Sequence, residues 1–367
     1  MKRHYLVAAI IAFVLLLGLG VFASNGWLSR YIGNAVSGKK TGWFGRPVSE
    51  PGAVATGLDP NAPMPSGTPQ LSKEFLYAGS RLLAVEDANA NAAPPADLAV
   101  WRPTTGTWWV MGGQGSQAVT QGWGLPTDEP VQGDYDGDGK TDFSVFRPST
   151  GEWYVLRSSD GGWSVWTWGL STDKVVPADY DGDGKTDQAV FRPSNTTWYI
   201  IQSSNQSFVF QPYGLSTDTP APADYDGDGR ADIAVWRSTN STFYSLNSGN
   251  SAFSGFTFTQ SSTEPVSADY DGDGRADYAI RNGNDWIVRN SATSQLVVTA
   301  WQLATDKPVQ NDYDGDGKVD IAVWRPTNDP AGTLGNWYIR QSATNNSLRQ
   351  VQWGMHDDIP VPAFYRR

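Results

Sequence analysis

The chain's 367 residues allow one large domain or two ordinary ones, and a net charge of −11 with no basic stripe argues against a nucleic-acid partner. There is no cysteine, so no disulfide can brace an exported domain and another staple is needed. Abundant Trp (17), Gly (39) and Pro (23) suit many short strands joined by turns rather than long helices.

The first element reads as an export signal. Lys2 and Arg3 precede an uncharged apolar run over residues 5–22, and Val21 and Ala23 occupy the −3 and −1 positions of a cleavage site after Ala23. The run also reaches the lower limit for a membrane span, so residues 1–23 serve as either a cleaved signal peptide or a retained signal anchor. Both readings put the remainder outside the cytoplasm, secreted or at the cell surface. Residues 24–72 are rich in Pro, Gly and Ala without apolar periodicity and predict a linker. In residues 73–96, "KEFLYAGSRLLAVED" predicts a strand or hairpin leading into the main domain.

From residue 97 onward the chain repeats. "DYDGDGKTD" begins at Asp134 and Asp179, "DYDGDGRAD" at Asp224 and Asp269, and "DYDGDGKVD" at Asp312, a period of 45 residues three times and 43 once. Around each acidic loop the same phrases recur: "VVPADY" before it, "DQAVFRP" after it, then "TWYIIQ" and an aromatic stretch ending in "YGLSTD". Each phrase is short, β-rich and bounded by Gly, Pro, Ser or Asp, which gives four strands per unit. Four antiparallel strands in about 45 residues describe a blade of a β-propeller, so the predicted fold is all-β. The first unit starts midway at "DLAVWRP", and the last stops midway at "IPVPAFYRR". Pairing these fragments closes a ring of six blades. Seven is the alternative, with "RLLAVED" supplying the missing strand.

Within each acidic loop, carboxylates stand at positions 1, 3, 5 and 9, and a glycine at position 6 permits the tight turn. Alternate residues of such a loop face inward, and calcium wants six to eight hard oxygens in a flexible cage. The expected ligands are Asp134, Asp136, Asp138, the Lys140 carbonyl and Asp142 in the first loop. The second supplies Asp179, Asp181, Asp183, Lys185 and Asp187; the third, Asp224, Asp226, Asp228, Arg230 and Asp232. The fourth supplies Asp269, Asp271, Asp273, Arg275 and Asp277, and the fifth Asp312, Asp314, Asp316, Lys318 and Asp320. An EF-hand would need a Glu at position 12, where Val145 stands in the first loop. Magnesium fits poorly, being reluctant to shed water into an all-protein cage. Turn formation alone would explain one such loop, but not four mutually repelling acids in all five. A sixth, weaker site has the right alternation at Asp87, Asn89 and Asn91.

These five motifs make residues 97–367 resemble the FG-GAP/VCBS repeat family, the integrin-α-like propellers. The resemblance implies calcium loops joining the first and second strands of each blade. The units are simpler than those of integrins and mostly lack their Phe-Gly pair, so the resemblance assigns no ligand.

Other residues recur with the blades. Trp108–Trp109, Trp153–Tyr154, Trp198–Tyr199, Phe243–Tyr244 and Trp337–Tyr338 place one ring between blades and leave the other for a sugar-stacking platform or further core. Arg102, Arg147, Arg192, Arg237, Arg281 and Arg325 are expected to pair with loop carboxylates or with the acids at Asp173, Asp218 and Asp306. The two histidines, His4 and His356, form no catalytic constellation, and there is no zinc spacing. The sequence therefore predicts an exported, calcium-stapled propeller that binds a glycan or an extracellular protein without catalysis. The alternatives are a calcium-dependent polysaccharide lyase and a structural spacer.

Overall fold

A computed structural model describes residues 73–78, 81–87, 95–111, 118–261, 264–326 and 334–365. The expected export signal and linker, and Asn89 and Asn91 of the expected sixth site, lie outside these residues. The chain divides into two units, Met1–Asn91 and Ala92–Arg367. In the first, strands Lys73–Ala78 and Arg81–Asp87 form an antiparallel hairpin with a register shift at Leu76/Tyr77.

The second unit is a β-propeller of six four-stranded antiparallel sheets, and no helix occurs among the described residues. Numbered by their second strands, blades I to VI contain Leu98–Arg102, Phe143–Arg147, Gln188–Arg192, Ile233–Arg237, Tyr278–Asn282 and Ile321–Arg325. Blade II shows the pattern: Glu129–Pro130, Phe143–Arg147, Glu152–Leu156 and Trp163–Thr167 pair in that order. Burial follows position. In the second strand of blade III, Gln188 to Phe191 are all buried, because both of its faces meet protein. Outer strands such as Trp163–Thr167 alternate between exposed and half-buried, as an edge with only one covered face must.

Closure joins the two ends of the propeller. In blade I the first strand is Ile359–Pro360, which pairs with Leu98–Arg102. Asp97 bridges Ala363 as Asp142 bridges Gly133 and Asp187 bridges Ala178. The ring thus has six blades, and Arg81–Asp87 pairs with its own hairpin partner instead of supplying a blade strand.

Two belts stitch the blades together. In the inner one, the amide before the last acid of each loop donates to the carbonyl of the preceding loop's first residue. Thr186 reaches Asp134 at 2.6 Å, Ala231 reaches Asp179 at 2.7 Å, Ala276 reaches Asp224 at 2.6 Å and Val319 reaches Asp269 at 2.8 Å. Ala96 to Asp312 (2.7 Å) and Thr141 to Phe364 (2.9 Å) complete the circle through blade I. The second belt is indole-based. Trp123, Trp168, Trp301 and Trp353 each donate from Nε1 to a third-strand carbonyl of the next blade, at Tyr154, Tyr199, Tyr338 and Trp109. Tyr213 and Phe258 replace the indole at the III/IV and IV/V junctions.

Candidate metal centres

Each acidic loop folds around its own carboxylates. Asp134 accepts hydrogen bonds from the backbone N–H of Gly137 at 2.7 Å and of Gly139 at 2.8 Å, closing the turn. Gly139 has a φ of +83°, a left-handed conformation that costs a side chain about 1–2 kcal/mol. Asp138 accepts from Lys140 N–H at 2.8 Å. Asp142 is buried and accepts from Tyr135 N–H and Ser158 N–H at 2.9 and 2.7 Å. The other four loops repeat these bonds through Asp179, Asp224, Asp269 and Asp312 at position 1, and through Asp187, Asp232, Asp277 and Asp320 at position 9.

The structure brings the expected acids together. In the first three loops, the acids at positions 1, 3 and 9 offer oxygens within 4.8 Å of one another; in the last two, those at positions 1, 3 and 5 do so. Such crowding is unfavourable without a counter-ion. Burial, reinforced by the neighbouring acids, pushes the carboxyls of Asp142, Asp187, Asp277 and Asp320 up to about 6. Asp232 is raised for the same reasons. One observation goes further: Oδ1 of Asp314 is buried and has no hydrogen-bond partner among the described residues. A buried carboxylate oxygen left without a donor is costly, and a bound cation satisfies it. The oxygen-only donor set fits a hard divalent cation.

A third-to-fourth-strand residue that sequence reasoning overlooked completes the loops. Ser158 donates its hydroxyl to Asp138 at 2.9 Å, and Ser159 donates its hydroxyl to Asp136 at 2.6 Å. Ser203, Ser248 and Ser342 bond in the same way to Asp183, Asp228 and Asp316. The signal was present, since a serine recurs at this point in every one of these blades, but short polar hairpins read simply as turns.

Position 7 carries a second unrecognised role. The side chains of Lys185, Arg230, Arg275 and Lys318 leave their own loops and lie over Gly137, Gly182, Gly227 and Gly272 of the preceding loop. Added Cβ atoms there would come within 2.8 to 3.0 Å of those stems. The main chain of position 7 is left to its own loop, and successive loops are packed together. Gly182→Ala, at a φ of +81°, is therefore expected to destabilise the protein by about 1–2 kcal/mol or more. Denaturant titration would measure this, and an unchanged midpoint would show that the Arg230 stem yields freely.

On the face reached by the second-to-third-strand turns, the recurring arginines find their acids. Arg147, Arg192, Arg237 and Arg325 pair with Asp128, Asp173, Asp218 and Asp306 at 2.6–2.9 Å, and Arg102 pairs with Asp358 at 2.8 Å. Each guanidinium also covers a third-strand ring, such as Tyr154 at 4.1 Å and Tyr199 at 4.3 Å. The first ring of each aromatic pair is buried, and the second lies under an arginine instead of offering an open platform. Blade V differs, having Thr263 in place of the acid. Its Arg281 donates instead to the carbonyls of Asp306 and Leu303 and contacts Glu264 at 3.3 Å.

Fold and site together define a β-propeller with an acidic, cation-compatible loop between the first and second strands of five blades. The profile of the FG-GAP-like repeat matches residues 134–190, 179–235 and 224–280, so this propeller carries FG-GAP-like repeats. No curated protein sequence matches the chain. Among solved structures, it resembles TolB from Acinetobacter baumannii at 17% identity and a TM-score of 0.50, covering 72% of this chain and 65% of TolB. It also resembles an Agrocybe aegerita lectin that recognises non-reducing terminal N-acetylglucosamine (14% identity, 73% of this chain, 95% of the lectin, TM-score 0.49). A third is virginiamycin B lyase from Staphylococcus aureus (11%, 71%, 85%, TM-score 0.44). Likeness at such identities concerns the fold alone.

Proposed function

We propose that this protein is an exported, calcium-organised propeller that acts as a non-catalytic binding or adhesion module for a glycan or protein ligand. Calcium is the cation whose demands the loops meet: several hard oxygens, a flexible turn and no nitrogen or sulfur donors. The buried Oδ1 of Asp314, without a partner among the described residues, supports that assignment.

The observation that carries the binding role is the uncovered apolar surface. Leu125, Leu170, Leu215, Leu303 and Met355 stand exposed on five of the six connections between blades, and Trp163, Phe208 and Phe253 stand exposed at the start of the outer strands of blades II, III and IV. Large apolar side chains exposed at the same position in blade after blade support an interaction surface, whereas single ones need no explanation. His356, the one histidine among the described residues, sits on the surface beside Asp357 at 3.8 Å.

The test has two arms. Isothermal titration with calcium should count about five sites, and Asp181→Ala should lose one, because Asp181 belongs to the acid cluster of the second loop. Damage should be greatest in blades III and II, whose loops pack together, and not uniform around the ring. The calcium-loaded protein is then applied to a glycan array and to surface-protein extracts. Turnover of a polysaccharide substrate in place of retention would overturn the non-catalytic reading.

A further inference from the structure

The junctions between blades are not equally filled. The first residue of the second strand either fills the space beside the loop tyrosine of the preceding blade or leaves part of it open. At the I/II junction it is Phe143, stacked on Tyr365 with ring centres 5.2 Å apart. At IV/V it is Tyr278, stacked on Tyr225 at 4.6 Å and hydrogen-bonded to Ser245. At III/IV the residue is Ile233, and a cavity of about 210 Å³ lies open beside Tyr180. This junction also lacks the bridging tryptophan, having Tyr213 instead.

The cavity's lining is mixed: blade III supplies Ile200 and Val209 on the same sheet face as Gln202 and Gln211, and blade IV faces them with Leu246. Phe253 pairs directly with Leu246, so both side chains stand on the same sheet face, and Phe253 is 78% exposed. Its ring stacks on Tyr213 at 6.1 Å, which fixes its orientation.

Three amides also line the cavity, Gln202 and Gln211 from blade III and Asn247 from blade IV, each held at one end. Oδ1 of Asn247 accepts from Ser254, Oε1 of Gln202 accepts from Ser207, and Nε2 of Gln211 donates to the Pro212 carbonyl. Their other ends have no partner among the described residues. No carboxylate lines the cavity, and Arg230 is its one charged residue. Ser248, next to Asn247, donates to Asp228 and is bonded through its N–H to Asp232, so the third acidic loop steadies this side.

We infer that the cleft between blades III and IV binds a single pyranose residue of a glycan, its apolar face on Leu246 and Phe253 and its hydroxyls on Gln202, Gln211 and Asn247. A pyranose has one apolar face and a rim of hydroxyls that both donate and accept, which is what pre-positioned amides serve. The volume falls below the roughly 300–1,000 Å³ of sites for drug-sized ligands, so it admits one ring and not a bulky aglycone. The equivalent V/VI cavity, beside Ile321, is about 120 Å³ and too small for the same guest. This inference rests on the binding-module reading and specifies its site.

The experiment is saturation-transfer NMR on the calcium-loaded protein with a panel of methyl α- and β-pyranosides of glucose, galactose and mannose, plus N-acetylglucosamine and glucuronate. At least one should give ring-proton signals with millimolar affinity. Ile233→Tyr, which imports the filler used at IV/V, should weaken binding at least tenfold while calcium stoichiometry stays the same. Gln211→Ala, on the half-exposed outer strand, should weaken binding without altering the melt, and Ile321→Tyr should leave binding intact. Silence from the whole panel, or equal signals from wild type and I233Y, overturns the cleft. If wild type and I233Y capture the same polymeric glycan or surface protein equally well, the cleft fails while the module reading survives.

Discussion

Withdrawing calcium with EGTA is expected to lower the melting temperature of the propeller by about 15 °C, and restoring calcium, but not equal magnesium, should recover it. The magnitude follows from mass action. At a tenfold excess over Kd each site adds about 1.4 kcal/mol, so five sites add on the order of 7 kcal/mol. For a domain of this size each kcal/mol moves the midpoint by roughly 2–4 °C. Such a contribution is comparable with a whole domain's usual stability of about 5–15 kcal/mol. The structural reason lies in the loops. Asp142, Asp187, Asp232, Asp277 and Asp320 are all buried, and each holds a hairpin amide of its own blade. Without a cation, five clusters of crowded acids push against the inner belt of hydrogen bonds. Differential scanning calorimetry in matched buffers decides it, and a melt indifferent to EGTA would remove calcium from the account.

Truncation after Asp358 is the second large effect expected. The lost segment includes Val361 and Tyr365, both buried, and burial of two such side chains is worth about 3–6 kcal/mol. Tyr365 packs against Trp108 and Phe143 with ring centres 6.1 and 5.2 Å away. Removal of Ile359–Pro360 also leaves Leu98–Arg102 with an unpaired edge, which invites association with another chain. A melting temperature at least 10 °C lower and aggregates on size-exclusion chromatography are expected. An unaltered melt would mean that the ring seals without this strand.

Much of this architecture was legible because the repeat displays its own register. A strict 45-residue period with four turn-bounded phrases permits few folds, and the half-units at Asp97 and Ala363 implied the closing pair. The acid positions were equally plain, since alternation through a glycine turn aims them at one point. What the sequence concealed were contacts between neighbouring repeats. That Lys185 packs over Gly137, or that Trp168 donates to Tyr199, depends on the angle between successive blades, which no single unit encodes. The covering of Tyr154 by Arg147 was hidden for a different reason. Pattern alone cannot tell an aromatic residue that faces solvent from one beneath a guanidinium. The open III/IV cleft is subtler still: it depends on Ile233 being smaller than Phe143 and Tyr278, a difference of size within an apolar position that periodicity treats as equivalent.

The joining of residues 359–363 to residues 97–102 also sets a timetable. Blades II to VI can each pair their strands as soon as they emerge, because their partners are close in sequence. Blade I cannot, since Val361 donates to Ala99 across 262 positions of chain. Until that late strand arrives, Trp101 and Trp108 lack their cover and the nascent disc is an open arc with adhesive ends. A chain threaded through a membrane from its N-terminus would hold this arc apart until the last strand had crossed. For such a chain, ring closure would be a latch that engages only on the far side.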